Sequence, residues 1–230
     1  MKPIFITSAE RSGSPIIATI IANCGVFTGR MSKMHENLSI RNLIRMLYED
    51  MGADPNGQYP LPDIANLRIP VTFRRNVLTV LEKDGFRGDG IWMFNSSYIA
   101  QTWPIWAHSF PEAQWVIVRR KPTDIIQSCI KTDYMKAFAD PSIYTKVGAD
   151  NEADGWKWWI EQHNQRFIEM INEGLDVKVV WPQRMVHGDY EQVFQMLRWL
   201  NLKWKSDIFS QVDQMLVKSR IKEKYNENNG

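Results

Sequence analysis

The sequence has little of several features that would define a protein class. Its 230 residues include only two cysteines, and no apolar run approaches the roughly 18 residues of a membrane-spanning helix. The formal net charge of +2 is too small to indicate binding to nucleic acid or to an anionic membrane. Internal repeats and low-complexity segments are also missing, so we expect a single domain over residues 1–230.

The cysteines and the N-terminal residues indicate the cellular compartment of the protein. Cys24 and Cys129 fall inside predicted helices and have no metal-ligand spacing, so we expect both to be reduced core residues. The N-terminus runs from one lysine directly into an apolar strand, without the pattern of a signal peptide. Together these features predict a cytoplasmic protein.

The stretch from Pro3 to Gly29 contains the first candidate site. An apolar strand at residues 4–6 leads into a polar turn at residues 8–14, and an apolar helix begins at Pro15. This order directs backbone N–H groups and the helix dipole at an anion, and Arg11 adds a positive charge. We interpret the turn as an oxyanion cradle, and an ordinary turn between strand and helix remains the alternative.

The cradle differs from the phosphate loop of kinases and ATPases. That loop has the pattern G-x-x-x-x-G-K-[ST], in which the lysine binds phosphate and the hydroxyl binds magnesium. With Gly13 as the second glycine, the other defined positions hold Ser8, Ser14 and Pro15. The lysine and the metal-binding hydroxyl are both missing, which argues against phosphoryl transfer.

A second candidate site lies at residues 115–132. An apolar strand ends at Arg120, a helix begins at Pro122, and Ser128 lies within the first two turns of that helix. A guanidinium and a hydroxyl beyond the carboxyl end of a parallel strand suit a phosphate monoester. Arg119 is the other candidate for this role, because adjacent residues face opposite sides of a strand and only one of the two arginines can face the site. The simpler alternative is that the basic strand end is exposed to solvent and binds no ligand.

The alternation of strands and helices predicts a three-layer α/β/α fold with a mainly parallel central sheet. The further predicted strands cover residues 91–94, 116–118 and 177–181. The further predicted helices cover residues 38–51, 71–83, 98–110, 151–172, 190–200 and 206–222. Asn37 is the predicted cap of the first of these helices, and Pro104 is expected to interrupt the third.

The two motifs together resemble those of sulfotransferases that use 3′-phosphoadenosine 5′-phosphosulfate (PAPS). Arg-Ser-Gly-Ser at residues 11–14 resembles the family's 5′-phosphosulfate loop. Arg120, Pro122 and Ser128 meet the spacing of its second signature. The resemblance implies a P-loop-like fold and in-line transfer of a sulfuryl group from PAPS to a hydroxyl or amine. The nucleotide product would be adenosine 3′,5′-bisphosphate (PAP), and no metal is required.

The resemblance also implies roles for individual residues. Arg11 would neutralise charge on the leaving oxygen, and His35 or Glu36 would be the general base. Asn95 stands where many relatives have a lysine. The residues expected to bind the donor are Arg11, Ser12, Gly13, Ser14, Pro15, Arg120 and Ser128, of which Pro15 replaces the usual serine or threonine.

Several points stay open. The acceptor is expected to be a small molecule or glycan, and some of the ten tryptophans could form its aromatic face. Residues 133–150 could form a lid, and Lys218, Arg220 and Lys222 could either reach the 3′-phosphate or be solvated. The alternative functions are an atypical nucleotide-dependent phosphotransferase and a non-catalytic nucleotide-binding protein. The sequence does not define the oligomeric state.

Overall fold

Four parallel strands form the central sheet in the computed structural model of the chain, which describes residues 2–204. Their order in the sheet is β2-β1-β3-β4. All three pairings are parallel, which confirms the predicted mainly parallel sheet. The predicted helix at 206–222, with its three basic residues, lies outside the described residues. The strands are β1 (Ile4–Ser8), β2 (Met93–Asn95), β3 (Gln114–Val118) and β4 (Val177–Val180).

Helices connect these strands and cover both faces of the sheet, which gives the three layers predicted from the sequence. They are α1 (Ser14–Asn23), α2 (Leu38–Asp50), α3 (Phe73–Lys83), α4 (Tyr98–Gln101), α5 (Trp103–Ser109), α6 (Pro122–Ile130), α7 (Pro141–Tyr144), α8 (Glu152–Asn172), α9 (Gln183–Val186) and α10 (Glu191–Trp199).

The alternation of side chains along β1 divides the core between the two faces. Ile4 and Ile6 point to one face, where they pack with α1, α9 and α10. Phe5 points to the other face and packs with α2, α3, α5 and the C-terminal half of α8. The ring of Phe5 lies 4.8 Å from that of Trp106 and 4.9 Å from that of Trp115, both in edge-to-face geometry. Tryptophan therefore serves mainly as core packing in this fold.

A third apolar cluster lies between α6 and the N-terminal half of α8. Phe138 is fully buried there, with its ring 4.8 Å from the ring of Trp156. Gly155 of α8 makes this packing possible, because a Cβ at that position would lie 2.6 Å from the ring of Phe138. On the same helix, His163 is buried and its Nδ1 lies 2.9 Å from the Trp159 carbonyl oxygen. Burial lowers the His163 pKa to about 4, so the ring is neutral and its Nδ1–H donates to that carbonyl.

The strand order places a cleft at the carboxyl ends of β1 and β3. From β1 the chain crosses to β2 on one side, and it later returns past β1 to β3 on the other. Such a reversal leaves a crevice beyond the strand ends, which is where ligands bind in open parallel sheets. The turn after β1 and Arg120, which follows β3, both border this crevice.

Candidate active site

The turn between β1 and α1 forms a cradle at the carboxyl end of β1. Arg11 and Gly13 both have left-handed backbone conformations, with φ of 69° and 88°. These conformations turn the chain sharply into α1, whose first N–H groups have no carbonyl one turn earlier to bond. Pro15 occupies the first turn of the helix, where its missing N–H costs no intrahelical bond. The N-terminus of α1 therefore faces the crevice.

A cavity of about 180 Å³ lies in front of this cradle. The polar and charged residues that line it come from the turn after β1, the segment before α2, the end of β2 and the end of β3. The lining comprises Ser8, Glu10, Arg11, Gly13, Ser14, Pro15, Met34, Glu36, Asn95, Ser96, Ser97 and Arg120.

Arg120, rather than Arg119, is the arginine that faces the cradle. Its Nη1 donates a 3.0 Å hydrogen bond to the carbonyl oxygen of Arg11, and its Nε lies 3.8 Å from Oδ2 of Asp124. The Arg119 guanidinium instead packs 5.5 Å from the ring of Phe167 and 5.7 Å from that of Trp181. Adjacent residues at the strand end thus point to opposite sides, as the pleat of a strand requires.

Arg11 connects the two motifs. Its Nε donates a 2.9 Å hydrogen bond to Oγ of Ser128 in α6. Its Nη1 donates a 3.1 Å hydrogen bond to the hydroxyl of Tyr134, which in turn donates to Oε1 of Glu10 at 3.2 Å. The cradle is therefore tied to the first helix after β3 and to the segment that follows it.

Two buried polar atoms near the cradle have no hydrogen-bond partner within residues 2–204. They are Oγ of Ser12, in the turn itself, and Oδ1 of Asn95, at the end of β2. The Ser12 hydroxyl can donate to a ligand oxygen, and the Arg11 and Arg120 guanidiniums offer further charged donors. This donor set fits a phosphate or phosphosulfate group.

Glu36 brings a carboxylate to the same cavity. Ser96 donates from Oγ to its Oε1 at 3.0 Å, and Nη1 of Arg41 lies 3.6 Å from its Oε2. Burial raises the Glu36 pKa, although the Ser96 hydrogen bond and the Arg41 charge oppose the rise. Both carboxylate oxygens are thus already engaged.

Glu10 is a second carboxyl group at the edge of the cradle. Burial is the main cause that raises its pKa to about 7, and the nearby Glu36 charge raises it further. The hydrogen bond from Tyr134 and the charge of Arg11 act in the opposite direction. A carboxyl with this pKa exchanges a proton near neutral pH, as a general base requires.

His35 lies beside the cavity without lining it. Its Nδ1 is 3.2 Å from Oγ1 of Thr19 in α1, and that hydroxyl donates to the carbonyl of Pro15. Burial lowers the His35 pKa, which favours the neutral ring. His35 also has a left-handed backbone, with φ of 57°, which turns its ring toward α1 while the next residue, Glu36, enters the cavity.

A second cavity of about 260 Å³ adjoins the first. Glu10, Met34 and Glu36 line both cavities and so form their border. None of the ten tryptophans, all of which lie within residues 2–204, lines either cavity. The other residues of the second cavity are Arg41, Arg45, Asn56, Gln58, Tyr98 and Tyr134.

The structure brings most of the predicted site residues together. Ser12 is buried within the cradle turn, Ser128 accepts a hydrogen bond from the Arg11 side chain, and the His35 ring faces α1. Glu10 was not among the predicted residues, and its position directly before Arg11 in a polar turn was the one available signal. The predicted residues that line the first cavity are Arg11, Gly13, Ser14, Pro15, Glu36 and Arg120.

Two kinds of feature are absent from residues 2–204. No helix there is both long and apolar enough to cross a membrane. No group of three or more histidine, cysteine, aspartate and glutamate side chains there is placed to hold a metal ion.

Comparison with solved structures identifies the fold. A sulfotransferase domain from the curacin biosynthetic pathway has a TM-score of 0.57 at 15% identity, over 90% of this chain and 76% of its own. The sulfotransferase STF9 from Mycobacterium avium has a TM-score of 0.55 at 10% identity, over 94% and 68%. The sulfotransferase domain of the Synechococcus PCC 7002 olefin synthase has a TM-score of 0.54 at 15% identity, over 90% and 76%.

The fold and cradle thus define an α/β protein of the P-loop-like class with a cavity bordered by two arginines at the carboxyl edge of its sheet. Within that class the chain has the sulfotransferase fold, as its motifs predict. No protein-family profile matches the sequence, and no curated protein matches it.

Proposed function

We propose that the chain is a PAPS-dependent sulfotransferase. The observation that carries this proposal is the meeting of the two motifs at one cavity. Arg120 bonds the backbone of the cradle at Arg11, and the Arg11 side chain bonds Ser128. The sulfotransferase fold of the neighbours and the missing kinase-type lysine support the same chemistry.

The residues of the cradle would bind and orient the donor. The backbone at residues 12–14 and the N-terminus of α1 offer N–H groups to the 5′-phosphate, and Arg11 supplies a charge beside it. Arg120 and Ser128, at the end of β3 and in α6, would hold the 3′-phosphate. When bound, PAPS supplies an electrophilic sulfuryl group for in-line displacement.

Glu10 is the residue that we assign as general base. It lines both cavities, so it lies where an acceptor hydroxyl would meet the donor site. Its pKa of about 7 allows it to accept a proton near neutral pH. Glu36, whose two oxygens are held by Ser96 and Arg41, would keep the Glu10 pKa raised and orient the acceptor. His35 is less suited because its ring faces Thr19.

The proposal is tested by ligand-induced thermal stabilisation. Adenosine 3′,5′-bisphosphate, ATP, ADP and AMP are compared with and without magnesium. A ligand at 100 times its Kd adds about 2.7 kcal/mol of stability, or roughly 5–10 °C for a chain of this size. We expect selective stabilisation by the bisphosphate, without need of magnesium, and its loss in Arg120→Ala.

The same thermal-shift assay supplies a control variant and the results that would contradict the proposal. Arg75→Ala, an exposed arginine on α3, should respond to the bisphosphate as the wild type does. Preference for ATP with magnesium would overturn the proposal in favour of phosphotransfer. Selective bisphosphate binding followed by no turnover of PAPS with any acceptor would instead indicate a non-catalytic binding protein.

A further inference from the structure

The second cavity is placed to hold the acceptor, if the proposed function is correct. It shares Glu10, Met34 and Glu36 with the donor cavity. An acceptor hydroxyl at this border would lie beside both carboxyl groups and in front of the cradle. The remainder of the acceptor would then occupy the second cavity, whose lining indicates its chemistry.

The polar side chains of this cavity are held in place by hydrogen bonds, while carbon atoms make up the larger part of its lining surface. Gln58 donates from Nε2 to the carbonyl of Tyr134 at 2.7 Å, and its Oε1 accepts from the backbone N–H groups of Lys136 and Ala137. The Tyr98 hydroxyl donates to the carbonyl of Pro55 at 2.8 Å. Met34 is the one aliphatic side chain of the lining among the described residues. Fixed polar groups beside carbon surface suit a sugar ring, which has hydroxyl edges and apolar C–H faces, better than an acyl chain.

Two arginines give the cavity a positive side. Arg41 and Arg45 are four residues apart on α2, so they lie on one face of the helix, about 6 Å apart along its axis. Arg41 pairs with Glu36 at 3.6 Å, and its Nε is buried without a partner within residues 2–204. Arg45 is one turn farther from that carboxylate.

Arg45 has no carboxylate within 4.0 Å in the described part of the chain. Its Nη2 donates to the neutral Oδ1 of Asn56 at 3.3 Å. Other arginines of this protein do have such partners, since Arg74 lies 2.8 Å from Glu112 and Arg166 lies 2.7 Å from Glu169. Arg41 is paired with Glu36, so Arg45 is the guanidinium of the second cavity whose charge no carboxylate within 4.0 Å offsets among the described residues.

We infer that the acceptor is a polyhydroxylated compound that carries an anionic group, with its reacting hydroxyl at Glu10 and its anion at Arg45. A guanidinium binds a carboxylate, a phosphate or a sulfate through the same forked geometry. The three anions therefore share one site, and the acceptor class is an acidic sugar or a similar polyol acid.

The inference is tested by calorimetric titration of sugars into protein saturated with adenosine 3′,5′-bisphosphate. Saturation is necessary because a sugar anion could otherwise occupy the cradle. The probes are D-glucose, D-glucuronate and D-glucose 6-phosphate, which share a ring and differ in charge and in the anion. We expect at least one anionic sugar to bind more tightly than glucose, and Arg45→Gln to weaken that binding about tenfold.

Arg75→Gln is the matched control, because it removes an exposed arginine from the neighbouring helix α3. It should leave the affinity for the anionic sugar unchanged. Equal or undetectable binding of all three sugars, or full anion affinity in Arg45→Gln, would overturn the inference. The bisphosphate itself is titrated into the protein before any sugar is added. No binding of the nucleotide in that first titration would mean that the proposed function fails, which separates it from a failure of the acceptor inference.

Discussion

The side chain of Arg11 donates from Nε to Oγ of Ser128 across 2.9 Å, although 117 residues separate the two in sequence. Arg11 lies within the turn after β1, and Ser128 lies in the helix that follows β3. Because β1 and β3 are adjacent and parallel, their carboxyl ends bring both residues to one edge of the sheet. This hydrogen bond holds the Arg11 guanidinium beside the cradle before any ligand arrives.

Removing the Ser128 hydroxyl should therefore weaken nucleotide binding. In Ser128→Ala, Arg11 loses one of its two side-chain acceptors and keeps Tyr134, and the nucleotide's 3′-phosphate loses a proposed donor. We expect the affinity for adenosine 3′,5′-bisphosphate, measured by calorimetry, to fall about fivefold, the value of one hydrogen bond of roughly 1 kcal/mol. Ser128→Thr keeps the hydroxyl and should bind nearly as the wild type does. Unchanged affinity in the alanine variant would contradict this role.

Gly13→Ala tests the backbone of the cradle. The φ of 88° at Gly13 is unfavourable for any residue with a Cβ, at a cost of about 1–2 kcal/mol. Space is not the obstacle, because the nearest atom to a Cβ there would be Cβ of Pro182 at 3.6 Å. Gly52→Ala is the matched control, with φ of 68° and open surroundings. We expect both variants to lose similar stability in thermal melts, and only Gly13→Ala to lose bisphosphate affinity.

Glu10→Gln tests the buried carboxyl group through the pH dependence of stability. The folded-state pKa of Glu10 is raised from 4.5 to about 7. Its protonated form therefore favours folding, and that stability is lost as the pH rises from about 4.5 through 7. Glutamine resembles the protonated acid, so the variant should melt a few degrees higher than the wild type at pH 8 and at the same temperature at pH 4.

Two comparisons make the Glu10 result specific. Glu82→Gln, at an exposed position on α3, should show no such difference between the two pH values. Glu36→Gln removes the neighbouring charge that raises the Glu10 pKa, so it should move the loss of stability to lower pH. Equal melting temperatures of Glu10→Gln and wild type at pH 8 would show that the pKa of this carboxyl is not raised in the folded protein.

Gly155→Ala tests the packing of the third apolar cluster. The added Cβ would lie 2.6–2.9 Å from three atoms of Phe138, which is too close for an unchanged structure. Overpacking of this kind costs about 1–3 kcal/mol, or roughly 2–10 °C in melting temperature. Phe138→Leu creates space, so the double variant should be less destabilised than the sum of the single changes. Additive effects would indicate that the two residues do not contact each other.

Much of the fold could be predicted because its signals are local. Asn37 caps α2 as predicted, since its Oδ1 accepts from the Ile40 N–H at 2.8 Å. Pro104 marks the break predicted in residues 98–110, where α4 ends and α5 begins. The short helix α9 was not predicted, because four residues carry too little periodicity. The helix predicted at residues 190–200 starts at Glu191 rather than Tyr190, and Asp189 accepts from the Glu191 N–H at 3.1 Å.

The site was less predictable because it depends on contacts between distant segments. The raised pKa of Glu10 arises from its burial and from the Glu36 charge, and both depend on segments that approach it only in the folded chain. The choice between His35 and Glu36 depends on the left-handed backbone of His35, which the sequence does not indicate. The suggestion of a tryptophan-lined pocket is not supported by either cavity, because tryptophans are used in the core.

The position of β1 in the sheet has a consequence for protein synthesis. β1 is translated before both of its neighbours in the sheet, which are β2, at Met93–Asn95, and β3, at Gln114–Val118. At about 5–20 residues per second, the ribosome needs roughly 4–17 s to reach β2 after finishing β1. During that time both edges of an apolar strand are unpaired on the nascent chain, which is the condition in which strands associate with other chains. Newly made chains should therefore depend on chaperones until β3 has emerged.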